Sequence, residues 1–243
     1  WYFFVIFVDF FVDIFVVVFV VVVVGGIVVV VIVVIVVVVD VFLVAAIVLA
    51  AGASSRMGSP KATLRWRGRA FVDHCVGLTS TCVVTVVVDG ATPLDAHRFD
   101  HSIVLAHHSG WSDGPLSSLQ CGLRRALASA PELRGVLVLT VDRPHVKATT
   151  IATLLATHDA SPHAFIQPAY DGASGHPVVW PRAAVDSLLA LPPTESPRTF
   201  LAAESAPARL RVAVDDPAVL DNIDRPEAYQ ALLQRDPEAP ADL

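Results

Sequence analysis

The sequence predicts an α/β sandwich built on a mostly parallel sheet, and three observations predict it. Short runs rich in Val, Ile and Leu, bounded by turn residues, read as strands covered on both faces: Val44–Ala50, Val83–Val88, Ile103–Ala106 and Val136–Val141. Segments with helical spacing lie between them, at Ala70–Leu78, Leu116–Ser129 and Thr149–His158. Strand and helix alternate along the chain, the order that places crossover helices on the faces of a parallel sheet.

The second half continues the pattern. Ala164–Gln167 and His176–Trp180 read as strands, followed by helices near Arg182–Leu191 and Arg198–Glu204 with the loop Pro192–Pro193 between them. Leu210–Val214 reads as a strand, and a last helix runs from Pro226 to about Gln234; proline suits a first helical position because its missing N–H would have no partner there. Asp236–Leu243, made of Pro, Ala and acidic residues, reads as a frayed tail. No internal repeat is visible.

Averages over the 243 residues mislead. The chain is 54% apolar with a net charge of −6, and its mean hydropathy is +0.63. Residues 1–42 account for this: 38 of them are Val, Phe, Ile or Asp, and none is Lys or Arg. Residues 43–243 carry 17 basic and 20 acidic side chains, the balance of an ordinary globular domain. That balance leaves no basic footprint for nucleic acid. The three cysteines, Cys75, Cys82 and Cys121, lack C-x-x-C spacing, which argues against a disulfide framework or zinc site and fits a reducing, cytoplasmic setting.

The leader admits three readings. Ile14–Val39 has no charge and is long enough, at helical rise, to span a bilayer. Against this, no Lys or Arg precedes Arg56, so the charge asymmetry that orients a membrane helix and the basic start of a signal peptide are both missing. The β-branched and aromatic composition favours extended, aggregation-prone structure instead. A third reading is spurious translation, since GTC, ATC and TTC codons are reverse complements of Asp and Glu codons. We expect the domain to begin near Leu43 and to run to residue 235, with a membrane as partner only if residues 1–42 exist in the cell.

The sharpest chemical signal follows the first strand of that domain: Leu49-Ala50-Ala51-Gly52-Ala53-Ser54-Ser55-Arg56-Met57-Gly58-Ser59-Pro60-Lys61. In an open α/β sheet, ligands sit outside the carboxyl ends of the strands, where this loop falls. Gly52 and the small residues Ala53, Ser54 and Ser55 let backbone N–H groups approach a polyanion, while Arg56 and Lys61 supply charge for its oxygens. The loop is neither a Walker A sequence nor G-x-G-x-x-G.

This string resembles the signature of the nucleotidylyltransferases of the molybdenum cofactor cytidylyl- and guanylyltransferase group. The resemblance continues through GPLSSLQCGL (Gly114–Leu123), VLVLTVDRP (Val136–Pro144), GHPVVWP (Gly175–Pro181) and DNIDRPEAY (Asp221–Tyr229), five motifs in the family's order. It implies a Rossmann-like three-layer α/β/α sandwich of the glycosyltransferase-A type. It also implies magnesium-dependent transfer of a nucleoside monophosphate from CTP or GTP to a phosphorylated acceptor. The Leu-Ala-Ala-Gly form of the first motif, with Gly-His-Pro, is more similar to the cytidylyl branch, which implies CTP and molybdopterin, with a molybdoenzyme or its chaperone as a further partner. Alternatives are another phosphate acceptor, such as a sugar phosphate or phosphoenolpyruvate, or a nucleotide-binding accessory protein without turnover. Two departures from the family pattern bear on the last: Arg143 and His145 flank Asp142, and Phe71–Cys82 is short for a helix and its turn.

Asp142 ends a buried strand, where a carboxylate reaches a ligand over the sheet, and magnesium takes one or two carboxylates together with phosphate oxygens. The resemblance implies the same metal role for it, and a second metal contact from Asn222 or Asp224; Asp224 has a rival use as a cap of the last helix. Leu49, Ala50 and Ala51 are expected along the base. Ser117 and Ser118 open a helix, where they either read a base or an anion or merely cap. His176 follows a turn and enters a strand; the resemblance implies that it donates to an acceptor phosphate or pterin. His101, His107 and His108 lack a third metal partner at suitable spacing and read as solvated loop residues. No nucleophile elbow is present, and Cys121 lies inside a helix, so covalent catalysis has no carrier and direct displacement at phosphorus fits best.

Overall fold

The computed structural model describes residues 3–10, 13–24, 27–37, 42–100, 103–203 and 206–235, with side chains from residue 43 onward. His101, Glu204 and the tail from residue 236 lie outside the described residues. The chain divides into two compact units, residues 1–41 and 42–243.

In the first unit, β1 (Phe3–Phe10), β2 (Asp13–Val24) and β3 (Ile27–Val37) form an antiparallel meander, in which Ile14 pairs with Val37 and Val24 with Ile27. Within the stretch long enough for a membrane helix, residues 14–24 and 27–37 are therefore paired strands. Val and Ile are stiff at χ1 and fit a pleated surface better than a helix. No described helix is long and apolar enough to cross a membrane.

The second unit carries the expected sandwich. Its strands are β4 (Phe42–Leu49), β5 (Arg65–Trp66), β6 (Arg69–Ala70), β7 (Cys82–Asp89), β8 (Ile103–His107), β9 (Gly135–Thr140), β10 (Phe165–Tyr170), β11 (Ala173–Ser174), β12 (Val178–Pro181) and β13 (Arg209–Ala213). Its helices are α1 (Phe71–Gly77), α2 (Pro115–Ser129), α3 (Ala148–Ala160), α4 (Arg182–Ala190), α5 (Pro197–Ala202) and α6 (Pro226–Arg235). The main sheet has the order β11-β10-β12-β9-β4-β7-β8, with β13 beside β10. The pairs β4–β7, β4–β9, β7–β8 and β10–β13 are parallel, whereas β12 runs against both of its neighbours.

Alternation along the central strands makes both faces apolar. Val44, Ala46 and Val48 of β4, with Leu137 and Leu139 of β9, pack with Phe71, Leu154, Leu155 and Leu232 of α1, α3 and α6. Ala45, Ile47, Val136 and Val138 face the other way, against Leu116, Leu119 and Leu123 of α2 and Val185 and Leu188 of α4. Because a strand's side chains alternate with period two, two buried faces require the continuous apolar runs seen in the sequence. Gly122 lets α2 lie flat on this sheet: a Cβ there would sit 2.6 Å from the Ile47 Cγ2.

Two small elements escaped the sequence reading. The β5–β6 hairpin turns through Arg67 (φ 49°) and Gly68 (φ 71°), a two-residue loop with positive φ at both positions. Both β5–β6 and the short strand β11 are too brief to show periodicity. The first helix is only seven residues long, as the short spacing before β7 implies. The amino end of α3 is held by Asp216, whose Oδ2 accepts from the Lys147 N–H at 2.9 Å and the Thr150 hydroxyl at 2.7 Å.

Candidate functional site

The loop after β4 and the tip of β9 meet over the carboxyl end of the sheet. Between them lies a cavity of about 440 Å³ lined by Leu49, Ala50, Ala51, Gly52, Ser54, Ser55, Arg56, Lys61, Trp111, Ser112, Gly114, Pro115, Ser118, Thr140, Val141, Asp142 and Asp224. Residues from four of the five sequence motifs thus face one space.

The loop is folded on itself through Ser54. Its φ is +53°, its carbonyl accepts the N–H groups of Met57 (2.9 Å) and Gly58 (3.2 Å), and its hydroxyl accepts the Lys61 N–H at 3.0 Å. Ser54 therefore braces the bend and places Lys61 over the sheet. Gly52 is exposed, and nothing lies within 4 Å of where a Cβ would stand, so its backbone is open to the cavity.

Four charged residues converge there. Lys61 Nζ lies 3.8 Å from Asp142 Oδ2, and Arg56 donates to Asp224 Oδ2 at 2.8 Å. Arg143 donates through one nitrogen to Asp142 Oδ1 (2.9 Å) and to the Thr140 hydroxyl (2.7 Å), curling back onto its own strand end. Asp142 is thus flanked by two cations, one on each oxygen. Asp224 is buried, and its carboxylate holds Arg56 across the cavity. The Ile223 N–H donates to the Asp142 carbonyl at 3.0 Å, which fastens the C-terminal motif to the tip of β9.

Several expected residues sit elsewhere. Asn222 is exposed and does not line the cavity, while Asp224, two residues on, does. Ser117 is 3% exposed and turned inward: its hydroxyl donates to the Gly114 carbonyl at 2.7 Å and meets His108 Nε2 at 3.0 Å. Ser117 is therefore a brace at the start of α2, and only Ser118 of the pair reaches the cavity. His176 also lies off this cavity. Burial, reinforced by Arg143, lowers its pKa to about 4, so the ring is neutral near pH 7 and supplies no positive charge to an acceptor phosphate. His107 and His108 are paired rather than simply solvated: His107 Nδ1 meets Asp89 Oδ1 at 2.9 Å. His145 Nε2 meets Asp221 Oδ2 at 2.9 Å, tying the residue after the third motif to the start of the fifth.

Trp111 was not singled out by sequence. It reaches the cavity because Gly90, just past β7, leaves room: a Cβ on Gly90 would stand 2.8 Å from the Trp111 Cβ and 2.9 Å from the Ala51 carbonyl oxygen. The only available signal was an aromatic residue three positions before Gly114.

The thiols carry no chemistry here. All three cysteines are free, and burial pushes the Cys75 and Cys82 thiols up to about 12 and raises that of Cys121.

Asp142 and Asp224 give this cavity two hard oxygen donors, which fits a small divalent cation that takes one or two carboxylates and completes its shell with phosphate oxygens and water. Among the described residues no group of three or more His, Cys, Asp or Glu gathers at one point. The donor set therefore fits a metal that arrives with a phosphate ligand better than one caged by protein alone.

Comparison with known proteins identifies the family. Residues 46–211 match the model of the MobA-like NTP transferase domain. The chain belongs to that family. Among curated members, it is 31% identical over 185 residues to a molybdenum cofactor guanylyltransferase of Sinorhizobium fredii, covering 72% of this chain and 79% of that protein. It is 36% identical over 122 residues to a nicotine blue oxidoreductase of Paenarthrobacter nicotinovorans, covering 47% of this chain and 57% of the other. A solved nucleotidyl transferase from Methanothermobacter superposes with a TM-score of 0.61 at 20% identity, over 79% of this chain and 99% of that one. The Rossmann-like fold that the resemblance implies is the one this chain shares with that solved nucleotidyl transferase.

Proposed function

We propose that the cavity binds a nucleoside triphosphate and that the chain transfers its nucleoside monophosphate to a phosphorylated acceptor. An oxygen of the acceptor's phosphate attacks the α-phosphorus, the bond to the β-phosphate oxygen breaks, and pyrophosphate leaves. The observation that carries this reading is the convergence of Arg56, Lys61, Asp142 and Asp224 on one cavity at the carboxyl ends of β4 and β9. Such a reaction asks the protein for positioning and charge neutralisation more than for covalent work. Leu49, Ala50 and Ala51 would lie along the base, with the backbone from Gly52 to Ser55 around the phosphates. Lys61 and Arg56, now held by carboxylates, would pass to the β- and γ-phosphates. Asp142 and Asp224 would hold magnesium, which supplies neutralisation of the developing charge.

The names of the curated relatives favour GTP as donor and molybdenum cofactor as acceptor, and we put that pair first. CTP stands second, on the Leu49-Ala-Ala-Gly52 motif with Gly175-His176-Pro177. A different reading, nucleotide binding without transfer, is favoured by one observation: Arg143 already neutralises Asp142 at 2.9 Å.

A thermal-shift panel of GTP, CTP, ATP and UTP, with and without magnesium, tests the binding step. A ligand at a hundred times its Kd stabilises by about 2.7 kcal/mol, so a specific nucleotide stands out. A magnesium-dependent shift selective for GTP supports the first reading, and the same for CTP supports the second. No shift with any of the four contradicts both. A shift without pyrophosphate release in the presence of the acceptor supports binding without transfer.

A further inference from the structure

The cavity has an aromatic end that its charged residues do not explain. Trp111 is the one aromatic side chain among the described residues that line it. Sheet order fixes where that ring stands. Strands β9, β4 and β7 are neighbours running the same way, so Asp142, Ala51 and Gly90, each one or two residues past a strand, follow one another along a single edge. A Cβ on Gly90 would lie 2.8 Å from the Trp111 Cβ and 2.9 Å from the Ala51 carbonyl oxygen, which puts Trp111 on the β7 side of β4. Asp142 is on the β9 side. Adjacent strands are about 4.8 Å apart, so the step from β9 to β7 is about 10 Å, the order of the reach of a nucleotide from its phosphates to its base.

Trp111 is also held in place. It opens the short turn Trp111–Asp113, in which the Asp113 N–H donates to the Gly110 carbonyl at 3.1 Å. Ahead of that turn, the His108 N–H donates to the Asp89 carbonyl at 2.9 Å. Behind it, the Ser117 hydroxyl donates to the Gly114 carbonyl at 2.7 Å, with His108 Nε2 3.0 Å away. Ser117 and His108, neither of which lines the cavity, thus tie together the two ends of the segment that carries Trp111. The indole is half-buried and packs on the apolar layer that includes Leu116 and Leu119, so little ordering cost is left for a ligand to meet. A large ring left partly uncovered in a cavity wall has surface that a second flat ring would cover.

We propose that Trp111 is the surface on which the nucleobase stacks, so that the base is held at one end of the cavity and the phosphates at the other. The inference rests on the nucleotide-binding reading and adds to it the residue that tells a nucleotide from a bare polyphosphate. Every base has a ring face, so stacking rewards all four and leaves the choice among them to hydrogen bonds along their edges.

The test measures Kd by calorimetry on the full chain, for GTP, CTP, ATP, UTP and tripolyphosphate, which lacks a base, each with magnesium. The unaltered protein is compared with Trp111→Phe and Trp111→Leu. For the nucleotide that binds most tightly, Trp111→Leu is expected to raise Kd about tenfold or more, the usual effect of losing one base–aromatic stack, and Trp111→Phe to raise it less. Tripolyphosphate should bind all three proteins alike. In the unaltered chain, the ring protons of Trp111, assigned through Trp111→Phe, should move upfield with that nucleotide and not with tripolyphosphate. A Trp111→Leu protein that keeps full nucleotide affinity, or that loses tripolyphosphate by the same factor, overturns the inference and leaves the proposed function standing. Unmoved ring protons overturn it however the variants fold. If the unaltered chain binds none of the four nucleotides, the proposed function falls and this inference with it.

Discussion

The ammonium of Lys61 stands 3.8 Å from the carboxylate of Asp142, though one residue ends a glycine-serine bend after β4 and the other lies two residues past β9, 81 residues away in sequence. The parallel pairing of β4 with β9 brings them together, because Leu49 and Thr140 are partners in register and the chain leaves both strands on the same edge. A polyphosphate with a divalent cation needs this neighbourhood of opposite charges, and the consequences can be measured.

Arg143 occupies one oxygen of Asp142, so it competes with any cation for that carboxylate. Arg143→Gln should tighten Mn²⁺ binding by a few-fold to about tenfold, in line with the typical worth of a charge-assisted contact. Titration of free Mn²⁺ by electron paramagnetic resonance, at saturating nucleotide, reads this without turnover. Weaker binding in the variant would show that Arg143 assists the cation instead.

Stability should fall in acid through His176. Its pKa is about 4 in the folded chain, against 6.5 in the ordinary range, with burial as the main cause. A depressed histidine pKa means that the unfolded chain binds the proton more readily. The stabilisation is complete above pH 6.5 and is lost as pH falls toward 4. At about 1.4 kcal/mol per pKa unit, the loss is at most about 3.5 kcal/mol. Urea unfolding at pH 7 and pH 4.5 should show a drop that shrinks in His176→Asn; an equal drop in both proteins would remove His176 as its source.

Gly90→Ala should damage the cavity more than the fold. The added methyl meets the Ala51 carbonyl and the Trp111 side chain below 3 Å, so the backbone or the indole must move. Overpacking of this kind costs about 1–3 kcal/mol. We expect a modest fall in Tm together with loss of nucleotide-induced stabilisation. Normal nucleotide response in a normally stable variant would show that Trp111 has room to spare.

The fold was legible because covered strands must be apolar on both faces, and the central runs of β4, β7 and β9 have that signature, whereas β8, read as covered, is a half-buried edge strand. The loop after β4 and Asp142 were legible because each is a contiguous motif at a strand's carboxyl end. Ser117 was ambiguous for a physical reason: a serine at a helix start serves a ligand or its own backbone equally well, and here its hydroxyl turns to Gly114. Asn222 and Asp224 lie two residues apart in an irregular segment, and which of them turns into the cavity depends on a path that the chain alone does not disclose. Trp111 depends on contacts between distant segments: only packing brings it beside Gly90 and the Ala51 carbonyl.

The most direct test of the central claim is pyrophosphate release by Asp142→Ala, with GTP or CTP, magnesium and molybdenum cofactor acceptor, alongside the unaltered chain. If Asp142 and Lys61 serve one bound triphosphate, the unaltered chain releases pyrophosphate and the variant loses about a hundredfold or more of that rate, the usual effect of removing one electrostatic contact to the transition state, while its Tm is kept. Undiminished release by a folded Asp142→Ala protein would contradict the account.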